Sequence, residues 1–277
     1  MSIDDHFTDY EEQLEPRSRD KTVDEAKEVL LTSLFHENPE EVYYGRQIEV
    51  INEDRFFHWI TTKALRELSD EHRIKSLRSP LDNETEVRFY WSKKNRYYRR
   101  KLNEIKKLIQ EHAQAKFTRA VGDHGEMMFH AALPKEGFMP KATNVREYGG
   151  KEWTETGHDL DRVFERDGIP YGTEIKNTMA YIPRSELQIK LRMCARLGLC
   201  PLLILRYAPK SYIEQIRQAG GFTLIFKYQL LPHGFADLAR RLRERLRLPL
   251  DCPRALSEGT IKRLLKWHQK TFPQPSH

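Results

Sequence analysis

The chain has 277 residues, 39% hydrophobic and 32% charged, with a formal net charge of +6 at pH 7. That length buries one good core and leaves room for two domains. No apolar run approaches the roughly 18 residues of a membrane span, and residues 1–20 lack the apolar stretch of a signal peptide, so a soluble, cytoplasmic chain is expected. Cys194, Cys200 and Cys252 form no CxxC pair, which fits a reducing compartment and offers no complete zinc site.

Residues 1–20 lack apolar periodicity and read as a mobile arm. Over 23–35 the positions Val23, Ala26, Val29, Leu30 and Leu34 recur at three and four, the mark of a helix face. Thr22 is the expected N-cap, with Glu25 completing a capping box. A second helix is predicted within 52–69, where Phe56, Trp59, Ile60, Ala64, Leu65 and Leu68 share a face. The period then changes: 74–77 and 85–91 read as two strands around a polar turn containing Pro80, Asp82 and Asn83. Helices followed by a hairpin over 21–100 resemble the layout of a winged-helix domain, a relative of the helix-turn-helix module, and the resemblance implies DNA binding.

A basic run follows. Lys93, Lys94, Arg96, Arg99, Arg100, Lys101, Lys106 and Lys107 are opposed only by Glu104, and a second cluster comprises Arg240, Arg241, Arg243, Arg245 and Arg247. Such clusters suit a polyanion. Residues 95–118 are read as one long basic helix, whose 101–118 portion links the halves. Tyr97, Tyr98 and Trp91 are placed to stack on or pack against sugars, with core packing preferred for Trp91.

In 119–277 the pattern becomes strand, strand, helix, strand, helix, strand, an α/β layer with a mixed sheet. Gly122 to Gly125 is expected to break the chain before a short helix over 126–133. Strands are expected over 155–164 and 171–176, around a turn at 165–168. A helix over 185–197, with Leu187, Leu191, Cys194 and Ala195 inward, leads to an apolar strand over 201–207. A helix over 209–219, a strand over 222–228 and closing helices over 236–246 and 260–270 complete the series. No P-loop, GxGxxG or GxSxG sequence occurs, which argues against an ATP motor, a dinucleotide site and a serine hydrolase.

The chemistry-bearing stretch is His158-Asp159-Leu160-Asp161-Arg162-Val163, followed by Gly172-Thr173-Glu174-Ile175-Lys176-Asn177. Alternate residues of a strand face one way. Glu174 and Lys176 therefore share a face, as do Asp159 and Asp161, and a hairpin pairing sets Asp161 beside Glu174. Two adjacent carboxylates in an open pocket suit a divalent cation, which activates water and stabilises charge in phosphodiester hydrolysis. Lysine ordinarily titrates near about 10.4; carboxylate neighbours raise that value, so Lys176 is expected to orient water and stabilise charge rather than act as a base. His124, His130 and His158 show no metal-ligand spacing and read as structural.

This pattern resembles the PD-(D/E)xK nuclease superfamily, which includes many restriction enzymes and junction resolvases. The resemblance covers about residues 119–230 and implies a restriction-endonuclease-like core preceded by the winged-helix-like domain. It implies a Mg²⁺- or Mn²⁺-dependent DNA endonuclease in which Asp161, Glu174 and the Ile175 carbonyl hold the metal. Glu126, on a helix before the first strand, joins them, and Gln188 falls where some members carry a glutamine. The proline that usually precedes the first acid is absent, which leaves Asp159 as a competitor to Asp161. Lys93, Lys94, Arg96, Arg99, Arg100 and Lys101 would grip duplex or branched DNA by its phosphates. Many members dimerise to cut both strands, so a homodimer is an implied partner; neither a membrane nor a small-molecule cofactor is expected. Two alternatives stay open: a non-catalytic DNA-binding regulator with a degenerate nuclease fold, and an RNA-processing nuclease.

Overall fold

The computed structural model describes residues 16–81 and 85–273. Backbone contacts divide the chain into two units, Met1–Phe117 with Arg240–Leu248, and Thr118–Ala239 with Pro249–His277. Among the described residues no helix is long and apolar enough to cross a membrane.

In the first unit α1 (Pro16–Leu30) runs into a π-helical turn at Leu31–His36, followed by β1 (Val42–Tyr44), α2 (Gly45–Ile51), α3 (His58–Asp70), β2 (Ile74–Pro80), β3 (Glu86–Ser92) and α4 (Tyr98–His112). The strands form an antiparallel sheet in the order β1-β3-β2, with Val42 opposite Trp91 and Leu77 opposite Phe89. The helix-face residues Val23, Ala26, Leu30 and Leu34 are buried with Phe35, Ile48, Leu65, Leu68 and Tyr90 in one core. Thr22 lies inside α1 and is not an N-cap, because α1 starts at Pro16; of the expected arm, residues 1–15 lie outside the described residues and 16–20 are helical. Arg240–Leu248 groups with this unit; its Leu242 and Leu246 are buried, and its Arg241 pairs with Glu111 at 2.5 Å.

The long helix expected over 95–118 is two helices: α4 ends at His112 and α5 (Ala115–Ala132) begins anew. Nor do Gly122 and Gly125 break the chain, since α5 passes through both. Gly125 is there for proximity instead. A Cβ at that position would lie 2.6 Å from Asn177 Cβ, so glycine admits a close approach rather than a turn.

After α5 come β4 (Met139–Val145), β5 (Glu147–Tyr148), β6 (Lys151–Glu152), β7 (Leu160–Arg166), β8 (Ile169–Lys176), α6 (Arg184–Leu197), β9 (Cys200–Leu205), α7 (Lys210–Gln218), β10 (Phe222–Ile225), β11 (Gln229–Leu230), α8 (Ala236–Leu246), β12 (Leu250–Asp251) and α9 (Glu258–Thr271). The main sheet has the order β4-β7-β8-β9-β10, antiparallel from β4 to β8 and parallel from β8 to β10. It is the expected α/β layer with a mixed sheet flanked by helices. Side chains from α5 and α9 pack with Phe164, Tyr171 and Ile175, and those of α6 with Leu160, Val163 and Trp153. The turn between β7 and β8 is shorter than the sequence suggested: only Asp167 (φ 51°) and Gly168 (φ 77°) form it, the left-handed pair of a two-residue hairpin.

Candidate active site

β7 and β8 pair with Arg162 opposite Thr173, which carries Asp161 to the position facing Glu174. Asp161 Oδ2 accepts the Ile175 N–H at 2.6 Å. Glu174 is wholly buried. Lys176 Nζ stands 2.8 Å from Glu174 Oε1 and 2.8 Å from Glu186 Oε1. A second ammonium completes the group: Lys190 Nζ, on α6, lies 2.6 Å from Glu174 Oε2 and donates to the Asp159 carbonyl. Glu186 and Lys190 are four residues apart, hence on one helix face, and α6 turns that face to β8.

The electrostatics follow from this burial. Burial first, then the Asp161 charge, raises the Glu174 carboxyl above its ordinary value. Burial likewise raises Asp161, against the Ile175 N–H and the Lys176 charge; the negative Glu126 adds to the rise. For Lys176, burial works toward the neutral amine, but the charge of Glu174 and the contacts to Glu174 and Glu186 outweigh it. Lys176 is therefore a firm ammonium.

The expected site residues are distributed as follows. Asp161, Glu174 and Lys176 come together on β7 and β8, and Ile175 points into the opposite core. Asp159 precedes β7, and its backbone carbonyl is what reaches Lys190. Glu126, on α5, lies 3.6 Å from Arg162. Gln188 is exposed and donates to Gln215 Oε1 at 2.5 Å; it sits roughly 200° around α6 from Glu186 at 100° per residue. Lys93, Lys94, Arg96, Arg99 and Arg100 are exposed around the start of α4, while Lys101 is half-buried and pairs with Glu41 at 2.7 Å.

Among the described residues, no three or more His, Cys, Asp or Glu side chains converge as a metal-binding group. Two carboxylates nevertheless match what Mg²⁺ takes from proteins, since water and substrate phosphate usually complete its shell. Both Glu174 oxygens are buried without a well-aligned hydrogen-bond donor, although each has an ammonium at ion-pair distance. A cation at this pair of carboxylates would have to share Glu174 with Lys176 and Lys190.

Three residues of the site carry no role in the sequence pattern: Glu186, which pairs with Lys176, Lys190 and Asn177. Lys190 lies on the buried stripe of α6 with Leu187, Met193, Cys194 and Leu197; a lysine in the apolar stripe of a helix signals a buried counter-charge. Asn177, directly after Lys176, donates to the Val121 and Leu230 carbonyls, both at 2.7 Å, and accepts the Leu230 N–H at 2.8 Å. It ties α5 and β11 to the end of β8. The chain matches no protein-family model, and no curated protein or solved structure matches it.

Proposed function

We propose that the chain is a metal-dependent nuclease of the PD-(D/E)xK kind that hydrolyses phosphodiester bonds in DNA. The observation carrying this reading is the buried Glu174 facing the partly buried Asp161 on the adjacent strand, with Lys176 alongside. Both carboxyls are raised above their ordinary values, burial being the first cause for each, and groups perturbed in this way cluster at functional sites. Further support comes from the order α5, β7, β8, α6, β9, the helix-strand-strand-helix-strand succession of the resemblance, with β4 as an added edge strand.

In this reading Asp161, Glu174 and the Ile175 carbonyl, with Glu126, would hold Mg²⁺ or Mn²⁺, which when bound would acidify a water and neutralise charge on the phosphate. The role of Lys176 would be to orient the attacking water and pair with the scissile phosphate. Glu186 and Glu174 keep it protonated, so it does not serve as the base. Lys190 is a positioning residue that holds Glu174 from behind. The succession α1, β1, α2, α3, β2, β3 with sheet order β1-β3-β2 supports a winged-helix reading of the first unit. There Lys93, Lys94, Arg96, Arg99, Arg100 and Lys101 bind phosphates and position DNA without reading its sequence.

A second reading, a non-catalytic DNA-binding regulator, draws on Lys190: an ammonium already at Glu174 Oε2 is what a site that dispenses with metal would contain. Incubating the full chain with linear, circular, branched and single-stranded DNA, and with RNA, separates the two. Cleavage in Mg²⁺ that stops in EDTA and is not supported by Ca²⁺ is expected. Binding without cleavage of any substrate in Mg²⁺ or Mn²⁺ favours the regulator, and cleavage of RNA alone reassigns the substrate.

A further inference from the structure

The two tyrosines at the start of α4 have different surroundings. Tyr98 stacks on buried Trp91, with ring centroids 4.3 Å apart and an interplanar angle of 11°. Tyr97 is 87% exposed. Its backbone is nevertheless fixed: the Tyr97 N–H donates to Asn95 Oδ1 at 3.1 Å, and Asn95 Nδ2 donates to the Glu40 carbonyl at 2.8 Å. An aromatic ring is thus presented to solvent from an anchored turn.

Around it lies an open cleft of about 830 Å³ lined by Tyr97, Arg96, Arg99, Arg100, Lys101 and Arg245. Glu104, also in the lining, pairs with both Arg100 and Arg245, and Lys101 pairs with Glu41. Neither Arg96 nor Arg99 meets a carboxylate among the described residues, and Arg99 donates a hydrogen bond to Tyr98. The cleft therefore combines uncompensated positive charge with one uncovered π-face.

We propose that this cleft seats an unpaired nucleotide, its base stacked on Tyr97 and its flanking phosphates paired with Arg96 and Arg99. Charge alone would suit any polyanion, duplex DNA included. The ring narrows the class, because inside a duplex both faces of a base are covered by its stacked neighbours, whereas a base–aromatic stack contributes binding for any unstacked base. The seat rests on the reading of the first unit as a nucleic-acid binder. The substrate class it names is DNA with single-stranded or unpaired bases, such as a branch or a single-stranded overhang.

Fluorescence anisotropy of the full chain with a labelled single-stranded 12-mer and a blunt duplex of equal length tests the seat, with heparin as a competitor that has charge but no bases. Tyr97→Ala should weaken single-strand binding on the order of tenfold, as expected for one lost stack. It should leave duplex binding and heparin competition within about twofold, and Tyr97→Phe should behave as wild type. Arg99→Gln should weaken both DNAs and reduce the salt slope by roughly one counterion. If Tyr97→Ala leaves single-strand binding unchanged, or weakens duplex equally, the seat is wrong while the nucleic-acid reading stands. If wild type binds neither DNA, that reading falls and takes the seat with it.

Discussion

Replacing Lys190 with methionine keeps the length of the side chain and removes its charge, leaving Glu174 with Lys176 alone. Glu174 is 0% and Lys190 4% exposed, and deleting one partner of a buried pair costs roughly 3–5 kcal/mol. Because Lys176 still stands 2.8 Å from the other oxygen, the lower end of that range, about 3 kcal/mol, is expected at pH 8. The loss should depend on pH. A carboxyl raised in the folded state contributes stability that is complete below its unfolded value, about 4.3 for Glu, and is lost as pH rises through the raised folded value. Glu174 is already raised by burial, and without Lys190 it rises further, so the variant should lag wild type more at pH 8 than at pH 5. Urea unfolding followed by tryptophan fluorescence and far-ultraviolet circular dichroism measures this. Trp153 packs in the same cluster as Met193 and Cys194 of α6 and reports locally. Glu174→Gln combined with Lys190→Met should recover much of the loss. Equal stability of Lys190→Met and wild type at pH 8, or a pH-independent loss with no recovery in the double variant, would refute the reasoning.

Two further predictions concern the frame of the site. Gly125→Ala should destabilise the chain by about 1–2 kcal/mol, because its Cβ would meet Asn177 at 2.6 Å and overpacking outweighs the helix-propensity gain. Gly122→Ala, with nothing within 4 Å of the new Cβ, should stabilise by about 0.5–1 kcal/mol; thermal melts of the pair should shift in opposite directions. At the far end of β7, Tyr171 OH lies 2.6 Å from His268 Nδ1, and His268 Nε2 lies 2.9 Å from Asp167 Oδ2. The His268 hydrogen bond holds Asp167 below its ordinary value, so this stability is present above about pH 3.9 and lost as pH falls through the lowered value. An acid transition in Trp267 fluorescence that Asp167→Asn diminishes is the expected result.

The sequence exposed elements with a clear period and concealed those held by long-range contacts. Val23, Ala26 and Leu30 announced α1, Leu34 the π-helical turn that continues it, and the run Leu202 to Leu205 announced β9. β4 was invisible because five of its seven residues are exposed at a sheet edge, so no alternation marks it. β1 is three residues, all buried, too short for any pattern to register. Gly125 looked like a break because sequence alone cannot distinguish a glycine needed for a turn from one needed for the approach of Asn177. In the candidate site, Glu174 and Lys176 were readable from strand alternation. Lys190 was not, because its partner lies sixteen residues away and only the fold brings α6 over β8. Gln188 was assigned by order along the chain, whereas helical rotation turns it toward Gln215.

The central claim is that Asp161 and Glu174 form a metal-dependent phosphodiesterase centre. The most direct test is the rate of supercoiled plasmid cleavage as Mg²⁺ is titrated, with wild type, Asp161→Asn, Glu174→Gln and Asp159→Asn prepared in parallel and shown by circular dichroism to be folded. The account predicts Mg²⁺-dependent nicking by wild type and Asp159→Asn, abolished by EDTA, and loss of most cleavage in Asp161→Asn and Glu174→Gln. Cleavage that persists in EDTA, or that survives in both Asp161→Asn and Glu174→Gln, would contradict it.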